Sequence, residues 1–250
     1  MIYSAAASAL ANGELWFQNR DLHIIRDWRD TAVVTVPWLV ISPHFDDAVL
    51  SCGHLLAANP SSVVATVCGG IVPEGVPASA GWDALDWNSA NEATIGRRAE
   101  DLAALSRLSA RQVCCDVFDG PYRGASQGDL GPFVQAVAWV LDLVDAASIA
   151  IPIGGKHDDH TLTRQGAMIA LLATGDTGVY FYADLPYYTI DSPDQLAAEL
   201  GAEPPEWIAV TPEMVSQKVS ALECYPTQMR HLKITGVELP GAERRYRYQP

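Results

Sequence analysis

Residues 38–50, Trp38-Leu39-Val40-Ile41-Ser42-Pro43-His44-Phe45-Asp46-Asp47-Ala48-Val49-Leu50, decide the fold. Trp38 to Ser42 is a short, nearly continuous apolar run, which suits a strand buried on both faces. Pro43 and the polar residues behind it stop the strand, and Ala48 to Ala58 then reads as a helix. A buried strand, a short polar turn and a helix open a β-α unit. The succession recurs. Further strand-like runs are Ser62 to Cys68, Gln112 to Phe118, Ser148 to Ile153 and Gly178 to Ala183. Between them, Ile95, Ala99, Leu102, Leu105 and Leu108 recur at helical spacing after a capping-box match from Ser89 to Glu92. Pro132 suits a first helical turn, with Phe133, Val137, Val140 and Val144 on one face behind it, and Thr161 to Thr174 is another helix. The alternation predicts an α/β fold: a Rossmann-like, doubly wound, mostly parallel sheet with helices on both faces and right-handed crossovers. The length, 250 residues, suits a single domain over 1–250.

Two regions break the alternation. Gly69 to Asn88 is rich in Gly, Pro, Ala and Trp, and a loop that long inside a compact domain is usually functional or mobile. After Ala183, Pro186, Pro204, Pro205, Pro212, Pro226 and Pro240 punctuate the chain; Asp191 to Leu200 and Thr211 to Cys224 read as helices packed at one edge.

Sixteen Lys+Arg against thirty Asp+Glu give a net charge of −14. So acidic a surface repels phosphate backbones and anionic lipid, so neither nucleic acid nor a membrane is an expected partner. Arg244-Arg245-Tyr246-Arg247 is the only basic cluster. A small-molecule substrate fits this balance, and assembly into a homo-oligomer stays open. No run approaches the eighteen or so apolar residues of a membrane helix. Met1 to Ala11 is apolar without a basic flank and reads as the beginning of the fold, not a signal peptide. The five cysteines include an adjacent pair and no C-x-x-C, which suits buried thiols in a reducing cytoplasm.

The chemistry concentrates in two loops. Pro43-His44-Phe45-Asp46-Asp47 follows the first strand, and His157-Asp158-Asp159-His160 follows the fourth, just ahead of the helix read from Thr161. In a sheet of order 3-2-1-4-5 the first and fourth strands are neighbours at the switch point, where such folds bind ligands. The two loops should face each other and bring imidazoles and carboxylates together. Such a set without thiolate suits zinc with three protein ligands and a position for water. A lone His or Asp near a strand end is more often a cap or surface group, which is the reading for His23, His54 and His231. Asp119, Tyr122 and Arg123 follow the third strand on the same rim and could meet a sugar hydroxyl or form a solvated turn. Trp82 and Trp87 could stack on a sugar or acyl group, or pack their loop onto the core.

Rival motifs fail on context. Gly124-Ala125-Ser126-Gln127-Gly128 matches G-x-S-x-G, but Asp119-Gly120-Pro121-Tyr122-Arg123 separates it from its strand, and a nucleophile elbow needs a direct strand-to-helix turn. Gly154-Gly155-Lys156 lacks the first glycine of a phosphate loop, and His157 stands where Ser or Thr is required. The His157-Asp158 pair of a metal-dependent phosphohydrolase would need a helical domain.

The two His/Asp loops together resemble those of the PIG-L (LmbE-like) family of zinc-dependent N-acetylglucosaminyl deacetylases, whose motifs are Pro-His-Pro-Asp-Asp-Glu and His-Pro-Asp-His. Arg97-Arg98-Ala99-Glu100-Asp101 resembles the family's Arg-rich helix, Tyr182-Ala183-Asp184-Leu185-Pro186-Tyr187 its Tyr-x-Asp-x-Pro-Tyr stretch, and Lys218 to Gln228 its Lys…Tyr-x-x-Gln signature. Phe45, Ala48 and Asp158 depart from the pattern without removing a ligand. The resemblance implies that His44, Asp47 and His160 hold zinc and that Asp46 is the general base. It implies that His157 stabilises the oxyanion and protonates the leaving amine, with Asp159 orienting His157. Asp119 and Arg123 are the expected substrate contacts. The implied activity is removal of an acyl group, acetyl first, from an amino sugar or related small amide, in a biosynthetic role. The alternatives are a metal-dependent hydratase or lyase on the same scaffold, and a non-catalytic binding module.

Overall fold

The computed structural model describes residues 33–174, 178–188, 192–232 and 243–249. The readings of Met1 to Ala11, His23, Asp191 and Pro240 lie outside the described residues. In chain order the elements are β1 (Val34–Ser42), α1 (Asp47–Ala58), β2 (Val63–Thr66), α2 (Ala90–Arg107), β3 (Arg111–Cys114), α3 (Gly131–Leu143) and β4 (Val144–Pro152). Then follow α4 (Asp158–Thr174), β5 (Val179–Tyr182), α5 (Asp194–Glu199), β6 (Glu206–Trp207), α6 (Pro212–Leu222), α7 (Pro226–Leu232) and β7 (Arg244–Arg247).

The sheet has seven strands in the order β3-β2-β1-β4-β5-β7-β6. The first five are parallel to their neighbours, in the expected order, while β7 runs antiparallel to both β5 and β6. Strand residues alternate between two apolar layers. Leu39, Ile41, Ala65, Ile149 and Ile151 pack with Phe133 and Val137 of α3 and Ala167 and Leu171 of α4. Val40, Val64 and Ala150 pack with Val49 and Leu56 of α1, Leu105 of α2 and Leu222 of α6. Two helical layers explain the near-continuous apolar runs: each side chain of the central strands meets a helix on its own side.

Several boundaries differ from the sequence reading. Helix α1 starts at Asp47 and α4 at Asp158, so Asp47, Asp158 and Asp159 lie in first helical turns, where carboxylates favour the exposed N–H groups. Strand β3 ends at Cys114, and β4 extends back to Val144. In α2, Ser89 accepts from the Glu92 N–H at 3.2 Å as expected of its cap, and Glu92 accepts from the Asn88 N–H at 3.0 Å. Ile95 is 51% exposed, and the inward stripe instead carries Ala93, Arg98, Asp101, Ala104 and Leu105. Helix α7 and strands β6 and β7 were not anticipated. The basic cluster is β7 itself: Arg245 lies over the rings of Trp38 and Tyr180, Arg244 over Trp207, and Tyr246 is buried.

Helix α1 breaks at Cys52 (φ −129°, ψ 17°), which exposes peptide groups inside the protein. A buried ion pair satisfies them. Glu243 accepts from the N–H groups of His54 and Leu55 at 2.8 and 3.0 Å, and the Lys218 ammonium donates to the Leu50 carbonyl and to Glu243, each at 2.7 Å. Gly53 is required beside it, because a Cβ there would stand 2.7 Å from Cγ of Lys218. His54, read as a cap or surface group, is buried, with Nδ1 3.3 Å from Glu243. Removing one partner of such a pair leaves the other charge buried, so Glu243→Ala should destabilise the protein by about 3–5 kcal/mol. A urea midpoint within error of the parent protein would sink this account.

Candidate metal centre and active site

The first loop leaves β1 at Ser42, whose hydroxyl donates to the His44 carbonyl at 2.7 Å and accepts from the Ala48 N–H at 3.1 Å. This closes a tight turn in which the His44 N–H donates to Asp47 Oδ2 at 2.9 Å. The second loop leaves β4 through Gly154 (φ 67°) and Gly155 (φ 95°), backbone conformations that glycine adopts without steric cost. A Cβ on Gly155 would also stand 2.8 Å from Leu196 and 3.0 Å from the Tyr188 hydroxyl. The turn delivers His157 to the crevice and His160 to the first turn of α4.

The loops meet as expected. Asp47 Oδ2 lies 3.2 Å from His44 Nδ1 and 3.2 Å from His160 Nε2. The rings of His44, His157 and His160 lie within 5.3 Å of one another by centroid. His160 Nδ1 lies 2.6 Å from Asp184 Oδ1, whose other oxygen accepts from the Gly154 N–H at 2.8 Å. That contact fixes the ring through Nδ1 and turns Nε2 toward Asp47. Nε2 is buried and has no aligned hydrogen-bond partner.

His44, Asp47 and His160 each offer one ligand atom within 4.8 Å of the other two. Two imidazoles, one carboxylate and an orphaned buried lone pair fit a zinc-type cation. The electrostatics agree. Burial alone would lower the His44 pKa, but Asp119, Asp159 and Asp47 hold it well above the ordinary histidine value. His160, likewise opposed by burial, is raised to about 9 by Asp47 and Asp184. Burial would raise Asp47, but His160 and His44 pull it well below the carboxylate range. Asp46 differs: it is buried at the start of α1, makes no capping bond, and burial with the neighbouring Asp47 charge raises its pKa to about 6.

Two neighbours stand otherwise than expected. The Asp159 carboxylate does not reach His157. It lies 3.1 Å from His44 Nε2, accepts from the Gly120 N–H at 3.1 Å and pairs with Arg123. Only the Asp159 backbone N–H reaches His157, donating to Nδ1 at 3.2 Å. Arg123 is buried against Asp159 and donates to the Phe118 carbonyl at 2.9 Å, so the protein itself uses its guanidinium. Asp119 lies 3.4 Å from His44 Nε2 and 3.2 Å from Arg97, beside a cleft also lined by Phe45, Asp83, Thr94 and Tyr122.

The 69–88 loop closes one side of this cleft. Asp83 pairs with Arg97 and accepts from the Tyr122 hydroxyl, and Tyr122 accepts from the Ser79 N–H at 2.9 Å. Both tryptophans pack inward: Trp82 donates to Gln228 at 3.2 Å, and Trp87 covers Gly96. Sequence reasoning assigned no role to Asp184, although its place in the Tyr182 to Tyr187 stretch was the available signal.

The fold and this cluster define a class: doubly wound α/β proteins with an imidazole–carboxylate cation site at the C-terminal ends of the two central strands. Comparison with protein-family models and with the curated proteins gives no match. Solved structures do match. The A40926 pseudoaglycone deacetylase Dbv21 is similar over 86% of this chain and 99% of its own, at 27% identity and TM-score 0.72. The teicoplanin deacetylase Orf2, in a zinc-inhibited form, is similar over 84% of this chain and 97% of its own, at 26% identity and TM-score 0.71. A 4-carboxy-2-hydroxymuconate hydratase from Pseudomonas putida shares the fold at 17% identity and TM-score 0.61. These structural neighbours support the PIG-L (LmbE-like) family for this chain.

A polar network behind the first loop gives a pH test. Asp101 is fully buried; Gln112 donates to its Oδ2 at 2.6 Å, and the Tyr225 hydroxyl lies 2.6 Å from Oδ1 and 3.0 Å from the Phe45 carbonyl. The hydroxyl has one proton and two acceptors in reach. With Asp101 protonated, it accepts from the acid and donates to Phe45. Burial raises the Asp101 pKa to about 7. The folded value lies above the unfolded one, near 4, so this contribution is complete below about pH 4 and is lost as pH rises through about 7. Asp101→Asn mimics the protonated acid. It should match the parent stability at pH 4 and exceed it at pH 8 in urea titrations; equal gaps at both pH values would contradict the assignment.

Proposed function

We propose that this chain is a zinc-dependent amide hydrolase that removes an N-acyl group, acetyl first, from an amino sugar carried by a small glycoconjugate. The observation that carries the reading is the convergence of His44, Asp47 and His160 around the orphaned Nε2, with a buried carboxylate of raised pKa, Asp46, at the adjacent position. The names of the matched relatives, deacetylases of the A40926 pseudoaglycone and of teicoplanin, support the acyl group and the kind of substrate.

His44, Asp47 and His160 would hold the cation. Zinc in such a site lowers the pKa of its water to about 7 and polarises a carbonyl. Asp46, with a pKa of about 6, is mostly ionised at neutral pH and accepts a proton from the attacking water at a carboxylate oxygen. The same proton can pass to the departing nitrogen, because an acid of that strength gives it up readily to an amine. His157 has a lowered pKa, through burial and then the charges of His44 and His160, so it stands neutral. Its Nδ1 accepts from the Asp159 backbone, which leaves the ring proton on Nε2. That N–H donates to the amide oxygen as negative charge builds there. Asp159 then acts on His44 rather than on His157, and Arg123 acts by holding Asp159. Asp119, on the cleft wall, remains the proposed contact for a sugar hydroxyl.

Asp46→Ala should keep its zinc and lose about 10²–10⁴-fold in kcat, read as acetate release from an N-acetylglucosaminyl glycoconjugate. His160→Ala should lose the zinc itself, read by metal analysis. If both variants bound metal and turned over normally, the reading fails.

A further inference from the structure

A second set of donor atoms adjoins the first. His44, Cys68 and Asp159 also offer ligand atoms within 4.8 Å of one another. His44 Nε2 lies 3.1 Å from Asp159 Oδ2, and Cys68 Sγ lies 3.9 Å from the same oxygen. Tetrahedral zinc, with metal–ligand bonds of about 2.0–2.3 Å, has ligand–ligand edges of about 3.3–3.7 Å, so the two Asp159 edges need only tenths of an ångström of adjustment, and the third edge, from His44 to Cys68, lies within 4.8 Å. Asp119 Oδ1 lies 3.4 Å from the same imidazole nitrogen, outside the three-atom set. Positive charge is on hand for a thiolate: Arg123 Nη1 lies 3.8 Å from Cys68 Sγ while pairing with Asp159, and Arg97 lies 3.2 Å from Asp119. Cys68 comes from the loop after β2, a third strand end on the same rim.

We propose that Cys68, His44 and Asp159 form a site for a thiophilic divalent cation that excludes metal from the first site by taking His44. The first site offers nitrogen and oxygen donors and the second adds sulfur, so softer ions prefer the second. A neutral imidazole has one lone pair. A cation on Nε2 leaves the ring proton on Nδ1, the atom that faces Asp47, and His44 then cannot serve the first site. Binding displaces the Cys68 thiol proton to solvent and changes no oxidation state. The displacement of zinc rests on the proposed function; the sulfur-containing site does not.

Cadmium is the probe. Zinc-loaded full-length protein, challenged with stoichiometric Cd²⁺, should develop thiolate-to-cadmium charge-transfer absorption in the ultraviolet and release about one zinc for each cadmium bound, as sites sharing a ligand require. Cys68→Ser should lack the absorption and keep its zinc under the same challenge, whereas Cys224→Ser, which changes a cysteine outside the cluster, should behave as the parent. Cadmium uptake without the sulfur band, or a band that survives Cys68→Ser, overturns the site. A band with no zinc release overturns the exclusion. Protein that holds no zinc before the challenge counts against the proposed function, and the cadmium band still decides the thiolate site.

Discussion

The parallel pairing of β1 with β4, in register from Val34 opposite Val144 to Val40 opposite Ala150, is the constraint on which the rest depends. Among the described residues it is the one strand pair whose two following loops both carry histidine and aspartate. Its register is held by burial on both faces. A slip of one residue would send Leu39 and Ile41 into the layer that Val40 occupies, and every large side chain would meet the wrong helix. The spacing of His44 and His160 is therefore inherited from the packing of aliphatic residues that take no part in chemistry.

That packing also concentrates negative charge. Asp46, Asp47, Asp159 and Asp184 are all buried around the two rings in a chain that is already acidic. Most find a neutralising neighbour: Asp159 has Arg123, Asp184 has His160 and the Gly154 N–H, and Asp47 lies between two imidazoles. The imidazoles hold protons tightly as a result, which is the response of a buried acidic cluster to a shortage of positive charge. A bound dication supplies that charge and inverts the balance, because it displaces the protons it replaces. For Asp46, burial and the neighbouring Asp47 charge outweigh His44 and Arg97, and its pKa rises to about 6.

The parallel strands and both metal-facing loops were legible because each rests on local signals: apolar runs, a proline stop, and short clusters of imidazole and carboxylate. The antiparallel strands were not. β7 is Arg-Arg-Tyr-Arg, and its arginines join the sheet by laying their guanidiniums over Trp38, Tyr180 and Trp207, a pairing that no alternation of apolar residues announces. Ile95 misled for the converse reason. Its spacing is helical, but the inward face of α2 is occupied by Arg98 and Asp101, which serve the polar network. The expected link between Asp159 and His157 also failed in a physical way. His157 precedes α4 and Asp159 lies in its first turn, and only the Asp159 backbone N–H reaches the His157 ring.

The weaker echoes along the chain acquire a common meaning from their contacts. Asp101 and Tyr225 join at the carbonyl of Phe45 and so brace the first loop from the α2 side of the sheet. Lys218 and Glu243 hold the break in α1 just beyond that loop. Asp184 and the Tyr188 hydroxyl, which donates to the Gly154 carbonyl at 2.7 Å, brace the second loop from the β5 side. The two braces share no residue, and the loops also meet directly through His44 Nε2 and Asp159 Oδ2 at 3.1 Å, so the ligand atoms converge through protein contacts alone. The entropy of ordering those side chains is spent in folding, and a cation entering the site need not supply it. Residues distant in sequence, none of which touches the cation position, thus set how tightly it can be held.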